Sequence, residues 1–273
     1  MRIQPKVLMG LAAALVVVAV LLLTVPTFRG QTAVPSGPPP RLDGKPNLTG
    51  LWQALSEANW DLEPHEARPG PPQFGALFSE PGSVGVVEGG PIPYQPSALA
   101  KKQENFAKRW TSDPEGRCYM PGVPRATYMP YPFQITQSNR KILMSYAYAS
   151  ASRLIPFDDP GESPAESWMG WPKARWEGDV LVVESTSFND QSWFDRAGNF
   201  HSDALSTVER YSLSSPDVIQ YEATITDPNV FTRPWKISLP LYRRSERNMQ
   251  LLEFKCVPFS EEMIYGHLRK KTS

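Results

Sequence analysis

Two hydrophobic rhythms divide this chain. Residues 7–25 form an apolar run without a single charge, and beyond Pro130 apolar and polar positions alternate with a period of two. The alternation predicts strands over Phe133–Gln137, Ile142–Tyr148, Arg153–Phe157, Ala174–Trp176, Val180–Ser185, Thr207–Leu213, Val218–Thr226, Lys236–Tyr242 and Met249–Cys256. Short polar turns separate most of them, among them Ser138-Asn139, Glu177-Gly178-Asp179 and Ser214-Ser215-Pro216-Asp217. Successive hairpins imply an antiparallel meander rather than alternating strand–helix units. With Leu51–Ala54 the count reaches about nine or ten strands, and a meander of that size removes its exposed edges by closing into a barrel. A barrel of roughly 8–10 strands can enclose one small ligand.

The segment 47–130 ahead of the meander is mostly irregular, broken at Pro69-Gly70-Pro71-Pro72 and Gly89-Gly90-Pro91. It contributes the first strand and one helix, Ala98–Trp110, with Ser97 as N-cap and Leu99, Phe106 and Trp110 as apolar positions. It belongs to the same domain as residues 131–273. Proline is abundant, 29 residues with 20 of them in the first 132 positions, which disfavours long uninterrupted helices there outside the proline-free run 7–25.

At about 1.5 Å per residue the run 7–25 spans roughly 28 Å, enough for a bilayer core. Arg2 and Lys6 before it favour a cytoplasmic amino end. Residues 1–26 therefore read as a transmembrane signal-anchor or as a cleaved signal peptide, whose sites ending at Gly30 or Ala33 match poorly. Residues 27–46, with Ser36-Gly37 and Pro38-Pro39-Pro40, form a Pro-rich spacer, the folded part beginning near Arg41. Either reading exports the domain: held on the inner membrane by one span and facing the periplasm, or free in the periplasm after cleavage.

Charge and cysteine content narrow the classes further. Lys and Arg number 28 against 28 Asp and Glu, so there is no basic excess for nucleic acid. Two cysteines exclude a disulfide-dense scaffold and a four-cysteine zinc site. In an oxidising compartment Cys118 and Cys256 would pair and tie the early Pro-rich region to the last strand; the alternative is two buried thiols.

Asn47-Leu48-Thr49-Gly50-Leu51-Trp52 places Gly-x-Trp at the opening of the first strand, which resembles the start of lipocalins and other calycins. The resemblance implies a lipocalin-like barrel in which Trp52 plugs the closed end and a late-strand arginine, Arg243 or Arg244, lies across it. The long insertion up to Arg109 departs from simple lipocalins. A longer resemblance runs through Asp113–Cys118, Pro121–Arg125, Trp168–Gly170, Arg175–Val183, Phe188–Asp190, Trp193–Gly198, His201–Leu205 and Glu209–Tyr211. These segments are similar to an uncharacterised family of exported bacterial proteins, which implies export and transfers no activity.

The chemistry-bearing residues crowd into Phe188–Arg210. His201 can move a proton near neutral pH if a carboxylate, Asp203 or Asp195, fixes its tautomer. The plainer role is a histidine satisfying loop backbone, with Glu209 and Arg210 as a structural ion pair. Ser202 lacks the Gly-x-Ser-x-Gly elbow of a nucleophile. No metal spacing is present, Asp158-Asp159-Pro160-Gly161-Glu162 reads as a solvated acidic turn, and no cofactor is expected. Tryptophans here default to core; the sharper idea is a pocket wall of Trp168, Trp176 and Trp193. Tyr146 and Tyr148 facing one way, Arg153 on the next strand and Asn189 would complete a site for a small hydrophobic or aromatic molecule bearing an oxygen or carboxylate. Three functions follow as expectations: a membrane-tethered binder of such a ligand, a non-metal acid–base enzyme (isomerase, lyase or hydrolase) using His201, or an accessory subunit of an inner-membrane complex.

Overall fold

In the computed structural model, which describes residues 39–72, 76, 78–259 and 267, most of the expected strands from Phe133 to Tyr242 form. The apolar run 7–25 lies outside the described residues; among those described, no helix is long and apolar enough to cross a membrane. The first elements, β1 (Arg41–Leu42) and β2 (Lys45–Pro46), form a two-stranded ribbon. Its turn, Asp43-Gly44, has φ of 49° and 76° at the two central residues, as a tight hairpin requires. Arg41 anchors the ribbon to Asp179 at 2.7 Å.

Strand β3 (Gly50–Ala54) opens the main sheet. The irregular extension then adds the short strand β4 (Val87–Glu88), helix α1 (Pro96–Ala107), helix α2 (Arg109–Ser112), a 3-10 turn (Pro114–Arg117) and helix α3 (Arg125–Tyr128). The meander follows as β5 (Phe133–Gln137), β6 (Lys141–Tyr146), β7 (Ser152–Pro156), β8 (Trp171–Glu177), β9 (Val180–Thr186), β10 (Ser206–Ser215), β11 (Val218–Thr226) and β12 (Trp235–Arg243). Together they make one ten-stranded antiparallel sheet in the order β7-β6-β5-β3-β12-β11-β10-β9-β8, with β4 pairing β12 beside β3. Alternation sets the inner face: Ile219, Tyr221, Ala223 and Ile225 on β11 and Trp235, Ile237, Leu239 and Leu241 on β12 are all buried. Each larger side chain so placed contributes about 1.5–3 kcal/mol of transfer free energy.

The sheet curls into a nearly closed barrel. Its two end strands, β7 and β8, come together but exchange no ladder. Strand parity accounts for this. Nine strands lie on the path and every neighbouring pair is antiparallel, so eight reversals bring β8 round running parallel to β7. A tight hairpin cannot join parallel neighbours; a crossover of about a dozen or more residues is needed. Residues 157–170 supply it. The parallel alignment shows in side chains as well: Phe157 stacks on Trp176 at 6.2 Å, and Arg153 reaches Ser185, the register partner of Pro172.

Three expected elements are corrected. Met249–Cys256 is not a strand, because β12 already has β11 on one edge and β3 and β4 on the other, leaving no ladder to join. The helix begins at Pro96 with Gln95 at the N-cap and without a side-chain cap, since proline at the first helical position is pre-set for helix and its missing N–H is one the helix would leave unpaired. It also ends at Ala107, and it turns Ala98 inward while Leu99 is 43% exposed. Strand β6 stops at Tyr146, and Tyr148 belongs to a 3-10 turn, Tyr148–Ser150.

One barrel end is plugged by Trp52, wholly buried, with its indole N–H donating to the Leu48 carbonyl at 2.8 Å. The Arg243 guanidinium lies 4.2 Å above that ring and donates to the Thr49 carbonyl, while Arg244 pairs with Glu246. Gly50 makes room: a Cβ there would come within 2.1 Å of Arg243 Nη1. The opposite end is capped by the segment 188–205, where Phe194 packs edge-on against Trp235 at 5.7 Å. The extension is locked to that cap by a buried network in which Arg125 pairs with Asp113 and Glu115, and Glu115 with Arg196. Those cations hold the Glu115 carboxyl down at about 2, against the burial that would raise it. The disulfide Cys118–Cys256 closes the fold, but it joins the extension to the tail after β12 rather than to a strand.

Candidate functional site

Residues expected to share one site are dispersed, and three places hold the chemistry expected of them. The first is the barrel interior. Glu209 on β10 faces inward, wholly buried, and its carboxylate accepts from Arg153 Nη2 at 2.7 Å, Tyr211 Oη at 2.8 Å and Tyr221 Oη at 2.9 Å. Arg153 Nη2 also donates to Ser185 Oγ at 3.0 Å. Burial, with Glu209 adding to it, pushes the Tyr211 and Tyr221 hydroxyls well above the ordinary phenol value, so both stay protonated donors. The expected Glu209–Arg210 pair does not form. Successive strand residues point to opposite faces, and Arg210 pairs outside with Glu177 at 2.7 Å.

Above this cluster, the buried Thr207 Oγ1 and Trp235 Nε1 have no hydrogen-bond partner, and Arg153 Nε and Nη1 and Thr127 Oγ1 have none beyond the Tyr146 hydroxyl beside them. Thr207 is two residues along β10 from Glu209 and Trp235 pairs with Ile225, itself opposite Thr207, so these atoms belong to the layer under the Phe194 cap. Burial raises the Tyr146 hydroxyl, and its hydrogen-bonding contact with the Arg153 and Thr127 side chains opposes that rise. A buried polar group left unpaired costs about 1–3 kcal/mol. Of the residues that bear these atoms, Arg153 also lines a groove.

The second place is the seam. Where β7 and β8 fail to pair, a groove of about 700 Å³ opens between β7 and the crossover, lined by Arg153, Leu154, Trp168, Met169, Pro172 and Met120 among others. Trp168 is steadied by Tyr119, whose ring meets it edge-on at 5.0 Å. Leu154 is 55% exposed, so the groove mouth is apolar. Arg153 therefore links the two places: it lines the groove while its guanidinium enters the polar cluster.

The third place contains His201, and it is not a cleft. His201 and Ser192 are only 2% and 3% exposed. The His201 Nδ1–H donates to the Ser202 carbonyl at 2.9 Å, and Nε2 accepts from Ser192 Oγ at 2.8 Å. Burial pushes the imidazole below its ordinary value, which suits this neutral form. Neither expected carboxylate touches it. Asp203 is exposed, and Asp195 is wholly buried elsewhere, accepting from Leu62 N, Asn199 N and Asn199 Nδ2. Burial, reinforced by Asp61, pushes Asp195 up to about 7. Ser202 instead binds Asp227 through its amide and hydroxyl.

Of the expected ligand residues, Tyr146, Arg153 and Trp168 gather around the interior and seam. Tyr148 turns away, donating to the Glu115 carbonyl at 2.8 Å and stacking on Phe254 of the tail. Trp176 lines a smaller hollow with Leu42, Lys45 and Phe157. Trp193 forms an isolated bridge with Phe200, and Asn189 caps the turn to Gln191. Sequence reasoning missed Glu209 in this role, together with Tyr211, Tyr221 and Ser192. A charged residue at an inward position of an alternating strand was the signal for Glu209. No family model, curated protein or solved structure matches this chain.

Proposed function

We propose that this protein is an exported, lipocalin-like barrel that binds one small hydrophobic or aromatic molecule, admitted through the β7–β8 seam. The observation that carries the reading is Arg153: a buried guanidinium whose Nε and Nη1 have no partner beyond the neighbouring Tyr146 hydroxyl, lining an apolar groove beside Trp168 and Met169. Apolar walls with a few convergent polar groups are the usual make-up of a small-molecule site. The ligand's body lies along the groove and its oxygen accepts from Arg153. The disulfide supports an oxidising compartment and the apolar run 7–25 supports a membrane tether, which would hold the groove near lipid-soluble molecules. The enclosed Ser192–His201 contact supports a role in fixing the cap rather than in turnover.

The test is a fluorescence titration with N-phenyl-1-naphthylamine, which brightens in apolar sites. Saturable one-to-one binding is expected, weakened about tenfold by Trp168→Ala, the loss of roughly 1–2 kcal/mol of aromatic contact. Binding that is absent, or that ignores Trp168→Ala and Leu154→Asp alike, would remove the seam as the site.

A further inference from the structure

The charge arithmetic of the interior selects among oxygen-bearing ligands. Arg153 brings one positive charge into the barrel, and Glu209 cancels it at 2.7 Å with both partners at most 1% exposed. Glu209 itself accepts from three donors, Arg153, Tyr211 and Tyr221. The donors left over are Nε–H and Nη1–H of an already neutralised guanidinium and the Thr127 hydroxyl, with only the Tyr146 hydroxyl beside them, and the unpartnered Trp235 indole N–H and Thr207 hydroxyl. These can donate to a carbonyl, ether or hydroxyl oxygen. A carboxylate placed among them would be a second anion facing one cation, buried without a counter-charge, which is far costlier than burying a neutral acceptor.

We infer that the barrel's ligand is an uncharged molecule whose terminal oxygen accepts from Arg153, a ketone, ester or lactone on an apolar body, and that the site discriminates against fatty acids and other organic anions. This rests on the seam and interior being the binding site, as proposed above. The Arg153–Glu209 pair is then the specificity device: an arginine that supplies donors while its charge is spent within the protein.

The test is calorimetric titration of the whole protein at pH 8 with three C11 probes: undecane, 2-undecanone and undecanoate. The inference expects 2-undecanone to bind at least tenfold tighter than either of the others. Undecanoate binding as tightly as the ketone or tighter overturns the inference while leaving the site in place. If none of the three binds saturably, the site reading itself fails and the inference with it. Glu209→Gln gives a second readout. Removing the counter-charge should raise undecanoate affinity at least tenfold relative to that for 2-undecanone; a folded variant, checked by circular dichroism, that keeps the wild-type preference refutes the role given to the pair. The wild-type ranking decides the matter even if the variant does not fold.

Discussion

The buried Arg153–Glu209 pair makes the sharpest quantitative prediction. Replacing Glu209 by Gln leaves the guanidinium wholly enclosed with no opposing charge, and the amide can no longer accept from Arg153, Tyr211 and Tyr221 together. Removing one partner of a buried ion pair costs about 3–5 kcal/mol. Arg153→Met strands the carboxylate instead, although Tyr211 and Tyr221 still solvate it, so the loss should fall at the lower end, about 3 kcal/mol. The double variant, Arg153→Met with Glu209→Gln, buries no charge and should lose no more than about 2 kcal/mol. The two singles therefore exceed the double by roughly 4 kcal/mol or more, which is the coupling between the side chains. Against a typical domain stability of about 5–15 kcal/mol, each single is severe but measurable. Urea unfolding followed by near-ultraviolet circular dichroism is the assay, with each single lowering the midpoint by about 1–2 M. A coupling below about 1 kcal/mol would mean that water screens the pair, and the dry, charge-balanced interior would be refuted.

Other predictions concern the staple, the plug and the cap. Replacing Cys118 and Cys256 by Ala frees a closed loop with a sequence separation of 138 residues. The chain-entropy model puts the loss at about 4–5 kcal/mol, and reductant should lower the wild-type unfolding midpoint but not that of the variant. Gly50→Ala should push Arg243 off Trp52 and cost about 1–2 kcal/mol, the size of a desolvated cation–π contact, with a shift in tryptophan emission. Asp195 sits at about 7 in the folded protein, above its unfolded value of 3.8, so its contribution is fully present below pH 4 and is lost as pH rises through 7. Asp195→Asn should flatten the fall in stability between those limits; an unchanged slope on chemical denaturation at a series of pH values would reject the assignment.

The strands were legible because two independent signals coincide there. Along β11 the buried positions alternate without a break from Val218 to Thr226, and polar turn residues end it, so pattern and punctuation agree on both boundaries. Met249–Cys256 has the composition of a strand but no free edge to join, and edge availability is a property of topology that no local window contains. The helix start moved from Ser97 because capping preference yielded to proline at the first helical position. At the site, Arg153 and Tyr146 could be picked out as polar groups on strands, whereas Tyr148 could not be told from them until the chain turned after Tyr146. His201 drew attention as one of three histidines in the chain, yet rarity says nothing of access, and packing against Ser192 and Phe194 decided its surroundings.

Strand parity connects the fold to the proposed function. An even antiparallel meander could close hairpin to hairpin with every backbone group paired and leave no side door. With nine strands on the closing path, the last pair must run parallel, and the long connection that parallel neighbours require has to pass over the junction. The unpaired edges this leaves on β7 and β8 are hazards, and proline is one means of blunting such edges: Pro156 and Pro172 lie on the two strands, Pro160 and Pro164 in the crossover. The same junction brings Arg153 to the inner wall next to Trp168 on the crossover, so the weakest line in the sheet is also where an apolar surface meets a buried guanidinium. Shifting the parity, by deleting a strand or adding one, would therefore be expected to abolish the groove rather than merely reshape it.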